Sequence, residues 1–551
     1  MPSNRPKGVD KSFPICYNMF MYFRAKKGGS KDHPHQYLQI VESYRDGHTV
    51  RQRVIATLGR LDALQAQGAI DSLVRSLARF SETVKVLSAA RAPAIKSCRS
   101  KVWGPALVFG RLWEAQGLAE VLLRLSSGGR FQFDLERVCF GLTLQRLCEP
   151  GSDLQGSEWL QSVESPGLSG IELHQMYRTV GWLFGHREEL ERELFFRDRD
   201  LFHQELDLVF LDTTSTYIYR EKETEYAKRG YSRDHRPDLP QMILCVAVDR
   251  RGWPISWEIF PGNTADAKAF EKTISKFRLR FKIGRVSIVA DRGMISRDAI
   301  ELLVGHRSAP YDYILGCRLR RDLEVRERVL ADGGAFQKVA ANLKVKEVLV
   351  EGRRYIVCRN DEEAEKDALA REGILGRLRA KLESGQGKSL IGNLGYRRFL
   401  KGRRGAWQID EQAVKNDARF DGMFVLRTNL KFDSGEIAQT YKGLWRVERT
   451  FREQKSTLEV RPIFHHQDET RIGHIVASFL GLRLEVDLQR RLEQKGIKAP
   501  WPDLMRDLKR LQAVRMEVEG IDYLVRTDLE GCAYEVFRAT GVKVPTRVIR
   551  L

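Results

Sequence analysis

Between residues 201 and 321, apolar runs of strand length alternate with helical stretches, and two of the runs close on an aspartate. "ELDLVFLD" ends in Asp212 and "RVSIVADRGMIS" carries Asp291 directly after its apolar run. Between them, "QMILCVAVDRRGWPISWEIFPGN" reads as two antiparallel strands around the turn "DRRGWP". "DAKAFEKTISKFRLRF" reads as a helix with Asp266 as its N-cap, "RDAIELLVGH" as the next helix and "YDYILGCRL" as a further strand. Three strands, helix, strand, helix, strand is the order of an α/β layer built round a mixed sheet. Acids at the carboxyl ends of apolar strands stand where open α/β sheets bind ligands. For either aspartate alone, a turn or cap residue is an equally good reading.

A third acid follows much later. "FDGMFVLRTNL" returns a strand to the sheet, and the helical stretch after it starts with Asp433 and Glu436 spaced as a capping box. At about 100° per residue, Ile437, Tyr441, Leu444, Trp445, Val447 and Phe451 form one apolar stripe, and Glu448 falls on it. Lys442, Arg446, Arg449 and Glu453 fall opposite. A carboxylate turned toward a core needs a positive partner. Arg452, four residues on, could supply it; so could a metal. Three carboxylates converging from two strands and a helix suit a pair of Mg²⁺ ions, with Mn²⁺ as a substitute, because hard cations take oxygen ligands. Lys455 lies two turns beyond Glu448. Trp445 reads as core ahead of a base-stacking wedge, His235 as a solvent-facing loop histidine in "YSRDHRPDLP", and His465 and His466 carry no assignment.

At 551 residues the chain is too long for one core. Residues 1–65 read as a basic, β-rich unit, with "YLQIVESYRDG" and "TVRQRVIATLG" as paired strands. Residues 66–200 read as helical, either DNA-binding or a brace for the next domain. Residues 201–321 and 421–490 form the α/β core, 322–420 an α/β insertion containing a hairpin and a long helix, and 491–551 a charged tail. The net charge of +20, from 93 Lys and Arg against 73 Asp and Glu, favours a polyanionic partner, above all nucleic acid. No apolar run reaches membrane-spanning length, and residues 1–20 lack the pattern of a signal peptide. The eight cysteines contain no CxxC pair, so neither zinc nor a disulfide framework is indicated and a reducing cytoplasm is expected.

Taken in order, "LDTTSTY", "GYSRDHRPDLPQ", "FPGNTAD", "VADRGMIS" and "LWRVERTFREQKSTLEVRPIFHH" resemble the blocks of the DDE transposases of bacterial insertion sequences, over about residues 205–490. The resemblance is to the branch with a Tyr-x2-Arg-x3-Glu-x6-Lys signature. Tyr441, Glu448 and Lys455 fit its spacing; Leu444 replaces the Arg, and because Arg446 points away from the stripe, Arg452 is the better candidate to supply the missing charge. The resemblance implies a ribonuclease H-like catalytic core interrupted by the 322–420 insertion. Asp212, Asp291 and Glu448 would be the catalytic and metal-holding acids. Tyr441, Arg452 and Lys455 would meet DNA near the scissile phosphate. It also implies two Mg²⁺ ions, double-stranded DNA as partner at element ends and target, a homodimer on DNA, and a cytoplasmic, nucleoid-associated location. A transposase-derived DNA-binding protein without catalysis and a nuclease or resolvase of the same fold are the alternatives.

Overall fold

The computed structural model describes residues 20–28, 35–46, 49–78, 80, 98–202, 207–281, 286–305, 311–384, 394–403, 406–518 and 520–551. The expectation on the first twenty residues lies almost wholly outside that set. The chain divides into two units. One takes residues 1–99, 514–525 and 546–551, and the other 100–513 and 526–545.

The first unit holds an antiparallel sheet of β1 (Phe20–Gly28), β2 (His35–Asp46) and β3 (Thr49–Arg60), in that order. The expected pair is β2 and β3. The third strand, β1, is the basic run "FMYFRAKKG", whose three cations disguise a strand with alternating faces. Helices α1 (Leu61–Ala66) and α2 (Ala69–Ala78) follow, separated at Gly68, whose φ of 64° is left-handed.

After the short strand β4 (Cys98–Val102), the second unit continues with α3 (Gly104–Ala115), α4 (Leu118–Ser126), α5 (Leu135–Cys148), α6 (Asp153–Leu160) and α7 (Leu173–Phe202). The sheet strands are β5 (Leu208–Tyr217), β6 (Gln241–Asp249), β7 (Pro254–Pro261), β8 (Ser287–Ala290) and β9 (Asp312–Gly316). They are followed by β10 (Gln337–Ala340), β11 (Leu343–Val350), β12 (Arg353–Asn360) and, after a separate hairpin of β13 (Leu400–Arg403) and β14 (Ala406–Ile409), β15 (Met423–Thr428). Nine strands run in the order β10-β11-β12-β15-β9-β8-β5-β6-β7. Only β5–β8 and β8–β9 pair in parallel. This is the mixed sheet expected from the sequence. The hairpin of the 322–420 stretch (β11 and β12) extends that same sheet through β15.

Both faces of the sheet are covered, and strand alternation separates two cores. On one face Val209, Leu211, Ile288 and Ala290 pack against α8 (Asp266–Phe281) and α9 (Arg297–Val304). On the other, Phe210, Leu244 and Val289 join the apolar residues of α3 to α7 and of three later helices, α13 (Ser434–Lys442), α14 (Trp445–Ser456) and α15 (Asp468–Gln494). The insertion also contributes the long α10 (Asp361–Glu383), capped by Asn360, and the short α11 (Leu394–Arg397) and α12 (Glu411–Ala418). Asp212 has the parity of Phe210, and Asp291 that of Val289. Both acids therefore point to the face that carries α13 and α14.

Two expectations are corrected. The strand does not end at Asp212: β5 runs on through "TTST" to Tyr217, and these hydroxyls are buried within the β5–β6 ladder. The helix drawn from Ile437 through Phe451 is two helices, broken at Gly443 and Leu444. A Cβ at Gly443 would overlap the Phe210 ring, so the break is where the chain passes closest to β5.

Candidate active site

The parallel register of β5 and β8 sets the first pair of acids. Leu211 lies opposite Ala290, the last pair of the ladder. The next residues along the chain, Asp212 within β5 and Asp291 just past the end of β8, therefore stand side by side. The Thr213 N–H donates to Asp212 Oδ1 at 2.7 Å. Burial pushes the Asp212 carboxyl up to about 7; the Arg233 guanidinium, 3.9 Å away, and the Thr213 N–H oppose this, and the negative charges of Asp291 and Asp266 add to it.

Asp291 is held from the opposite side. Tyr441, at the end of α13, donates its hydroxyl to Asp291 Oδ1 at 2.9 Å. Burial and the Asp291 charge push the phenol well above its ordinary range. Gly316 makes the approach possible, because a Cβ there would overlap the Tyr441 hydroxyl. Arg318 fixes the loop after Asp291 by donating to the carbonyl oxygens of Arg292 and Gly293 at 3.1 and 2.9 Å.

Glu448 sits on α14 and is exposed, which corrects the expectation that it faces the core. The buried side of α14 is Val447, Thr450, Phe451 and Gln454. The kink at Gly443 resets the helical phase, so a projection continued from α13 turns Glu448 inward when it stands on the rim. Arg446 and Arg449 are not on an open face either. The Arg446 guanidinium lies over the Phe210 and Trp445 rings, and Arg449 meets Gln489 and Glu493 of α15. Trp445, expected in the core, is 50% exposed. Asp212, Asp291 and Glu448 line one cleft of about 590 Å³, together with Tyr441, Leu444, Trp445 and two acids of α10, Glu363 and Asp367.

Arg452 is exposed and makes no ion pair with Glu448, so the local-partner reading fails. Lys455 is not solvated: its ammonium lies 2.8 Å from Asp234, whose side chain is 4% exposed, with Arg461 3.6 Å from the same carboxylate. Asp266 does not act as an N-cap. It is the first residue of α8, and its carboxylate accepts from Thr213 Oγ1 at 2.7 Å and from Arg233 at 2.9 Å. The sequence reading takes Asp266 only as a cap and gives no role to Arg233 or Asp234. Their loop, "YSRDHRPDLP", reads as exposed, and no local spacing announces the Lys455 partner of Asp234, 221 positions away. His235 is exposed, as expected.

The acids form an all-oxygen donor set short of positive charge, which fits a hard divalent cation. Their donor atoms do not all gather within 4.8 Å; among the described residues that arrangement occurs at Asp153, His465 and His474. There a cation is already built in. Arg146 Nη2 lies 2.5 Å from Asp153 Oδ1 and 3.0 Å from His474 Nδ1. The Arg146 N–H makes Nδ1 an acceptor, which leaves the His474 proton on Nε2.

Residues 203–480 match the family model of the transposase DDE domain, and residues 23–90 match that of the IS1634 family transposase N-terminal domain. No curated protein matches the chain.

Proposed function

The chain belongs to the DDE transposases of insertion sequences, and from that premise we propose that its cleft cuts and joins DNA at the ends of its own element by metal-dependent phosphoryl transfer. The observation that carries the reading is the convergence of Asp212, Asp291 and Glu448, remote in sequence, on one cleft. The mixed sheet, with acids on adjacent parallel strands β5 and β8, supports a ribonuclease H-like core. Asp212, Asp291 and Glu448 are the residues that would hold Mg²⁺. Two such ions, when bound, supply an activated water and charge stabilisation for the leaving 3′ oxygen.

The chain's own groups prepare that chemistry. The Thr213 N–H and Tyr441 hydroxyl hold the Asp212 and Asp291 carboxylates from opposite sides. Glu448 lines the cleft and, like Arg452 one turn on, is exposed, and such a basic side chain beside the site would meet phosphates. Tyr441 acts on DNA only through Asp291, since its hydroxyl is engaged. Tyr441→Phe keeps the ring packed on Phe424, at a centroid distance of 5.9 Å, and removes the bond to Asp291. A hydrogen bond to a charged group is worth about 1.5–3 kcal/mol, so single-turnover cleavage falls about tenfold or more while DNA affinity stays near wild type. Gel-shift and cleavage assays on the same DNA separate the two. Because joining requires two ends, two copies act on DNA. Among the described residues no helix is long and apolar enough to cross a membrane.

The test is DNA carrying the element's ends with Mg²⁺. Cleavage at the ends and joining of the freed 3′-hydroxyl to a target support the reading, and a chelator abolishes both. Binding with no cleavage in Mg²⁺ or Mn²⁺ rejects it for a DNA-binding protein without catalysis. Cleavage indifferent to the ends, with no joining, rejects it for a nuclease.

A further inference from the structure

The loop between β5 and β6 carries two adjacent side chains whose partners stand on different elements. Arg233 turns to β5: its Nη2 lies 2.9 Å from Thr213 Oγ1 and 2.9 Å from Asp266 Oδ2, and its Nη1 3.9 Å from Asp212 Oδ1. Asp234 turns to the end of α14 and the chain after it, 2.8 Å from Lys455 and 3.6 Å from Arg461. One oxygen of this buried carboxylate, Oδ2, has no hydrogen-bond partner. The loop is fixed at several points. The Arg233 N–H donates to Ser215 Oγ at 3.1 Å, the Arg236 N–H to Ser232 Oγ at 3.1 Å, and Gln241 Nε2 to the Tyr231 carbonyl at 3.0 Å. His235, directly after the pair, has φ of 56°, a left-handed conformation that a non-glycine residue holds only where its surroundings impose it.

We propose that Arg233 and Asp234 are positioning residues, a two-armed clamp that ties the strand bearing Asp212 to the helix bearing Glu448 and counters the negative charge of the acids before a metal arrives. The proposal rests on the metal role of those acids. The Asp234 arm sets where Lys455 stands relative to the cleft. The Arg233 arm places a cation beside Asp212 and Asp266, where it competes electrostatically with a divalent ion. The two arms therefore have opposite signatures. Loss of the Arg233 charge strengthens metal binding and weakens catalysis, and loss of the Asp234 charge weakens catalysis alone.

The experiment titrates the metal-free full chain with Mn²⁺, followed by electron paramagnetic resonance, and measures single-turnover cleavage of end-bearing DNA. Arg233→Gln is expected to bind Mn²⁺ about tenfold more tightly, from the removal of a like charge, and to cleave about tenfold more slowly. Asp234→Asn is expected to bind Mn²⁺ as wild type does and to cleave about tenfold more slowly, with Lys455→Ala adding nothing further in that background, the non-additivity of groups that act as one unit. Unchanged or weaker Mn²⁺ binding by Arg233→Gln overturns the Arg233 arm, and this side chain is one-third exposed, so its replacement does not threaten the fold. Full additivity of Asp234→Asn and Lys455→Ala overturns the Asp234 arm. Wild-type Mn²⁺ binding that Asp291→Asn leaves untouched is a different failure, that of the metal site itself.

Discussion

Asp212→Asn is expected to abolish strand cleavage, by about 10³-fold or more, because in the proposed function it removes a charged oxygen that would hold the metal, and to stabilise the metal-free protein. The two effects share a cause. Burial first, and the charges of Asp291 and Asp266 after it, push the Asp212 carboxyl up to about 7 from 3.8. The folded metal-free chain thus binds a proton that the unfolded chain has already lost. A raised folded-state value in an acid means that stability falls as pH rises from about 4 to 7, and the full penalty stands above 7. A rise from 3.8 to about 7 corresponds to about 4 kcal/mol. Because the side chain is 21% exposed, solvent screening reduces this to on the order of 1–3 kcal/mol.

The asparagine variant carries no such charge. Its denaturant midpoint in chelator should exceed the wild type's at pH 8, and the gap should close by pH 4. The same cause sets the metal's pH dependence. Below 7, Mn²⁺ must displace a proton from the site, so apparent affinity rises with pH up to about 7 and then levels. A variant no more stable than wild type at pH 8 would show that the fold does not penalise the Asp212 charge.

What could be read in advance follows from how local each feature is. The runs before Asp212 and Asp291 are legible because both faces of β5 and β8 are buried, so the strands are continuously apolar. The β6–β7 hairpin is legible through its turn, where the Asp249 carboxylate accepts from the N–H groups of Arg251 and Trp253. The end of β5 is not, because "TTST" has the polarity of a loop and becomes strand only by pairing with β6. The break before Trp445 has no proline to announce it, and apolar spacing continues across it, so periodicity alone sees one helix. Helical projection puts Glu448 on a buried stripe, whereas it stands exposed on the cleft. The Asp234–Lys455 pair spans 221 positions, and no local pattern encodes it.

Gly473→Ala is expected to be the most destabilising single-methyl change in the helical layer. The glycine lies in α15, of which Ile472, Gly473, His474, Ile475 and Val476 are all buried. A helix apolar on every side is one enclosed by its neighbours. At Gly473 the enclosing neighbour is the backbone of α7: an added Cβ would overlap the carbonyl oxygen and carbon of Val180. A flexible side chain could swing aside, but a helix backbone cannot, so the two helices must separate or one must bend. Overpacking of a well-filled core costs about 1–3 kcal/mol and more where the backbone must move.

The clash is transmitted to the site because α7, α15 and the buried face of α14, with Val447 and Phe451, share one continuous core. Gly473→Ala should therefore lower the free energy of unfolding by about 3 kcal/mol or more, read as a lower midpoint, and reduce cleavage, through a shift of the helix that carries Glu448. Gly181 and Gly185, on α7 itself, give the control. A Cβ at either meets nothing within 4 Å. There alanine should be neutral or stabilising by up to about 1 kcal/mol, from helix propensity alone. Three glycine-to-alanine changes within one helix pair then differ only in what the new methyl meets. Equal midpoints for all three would mean that α7 and α15 do not cross at Gly473.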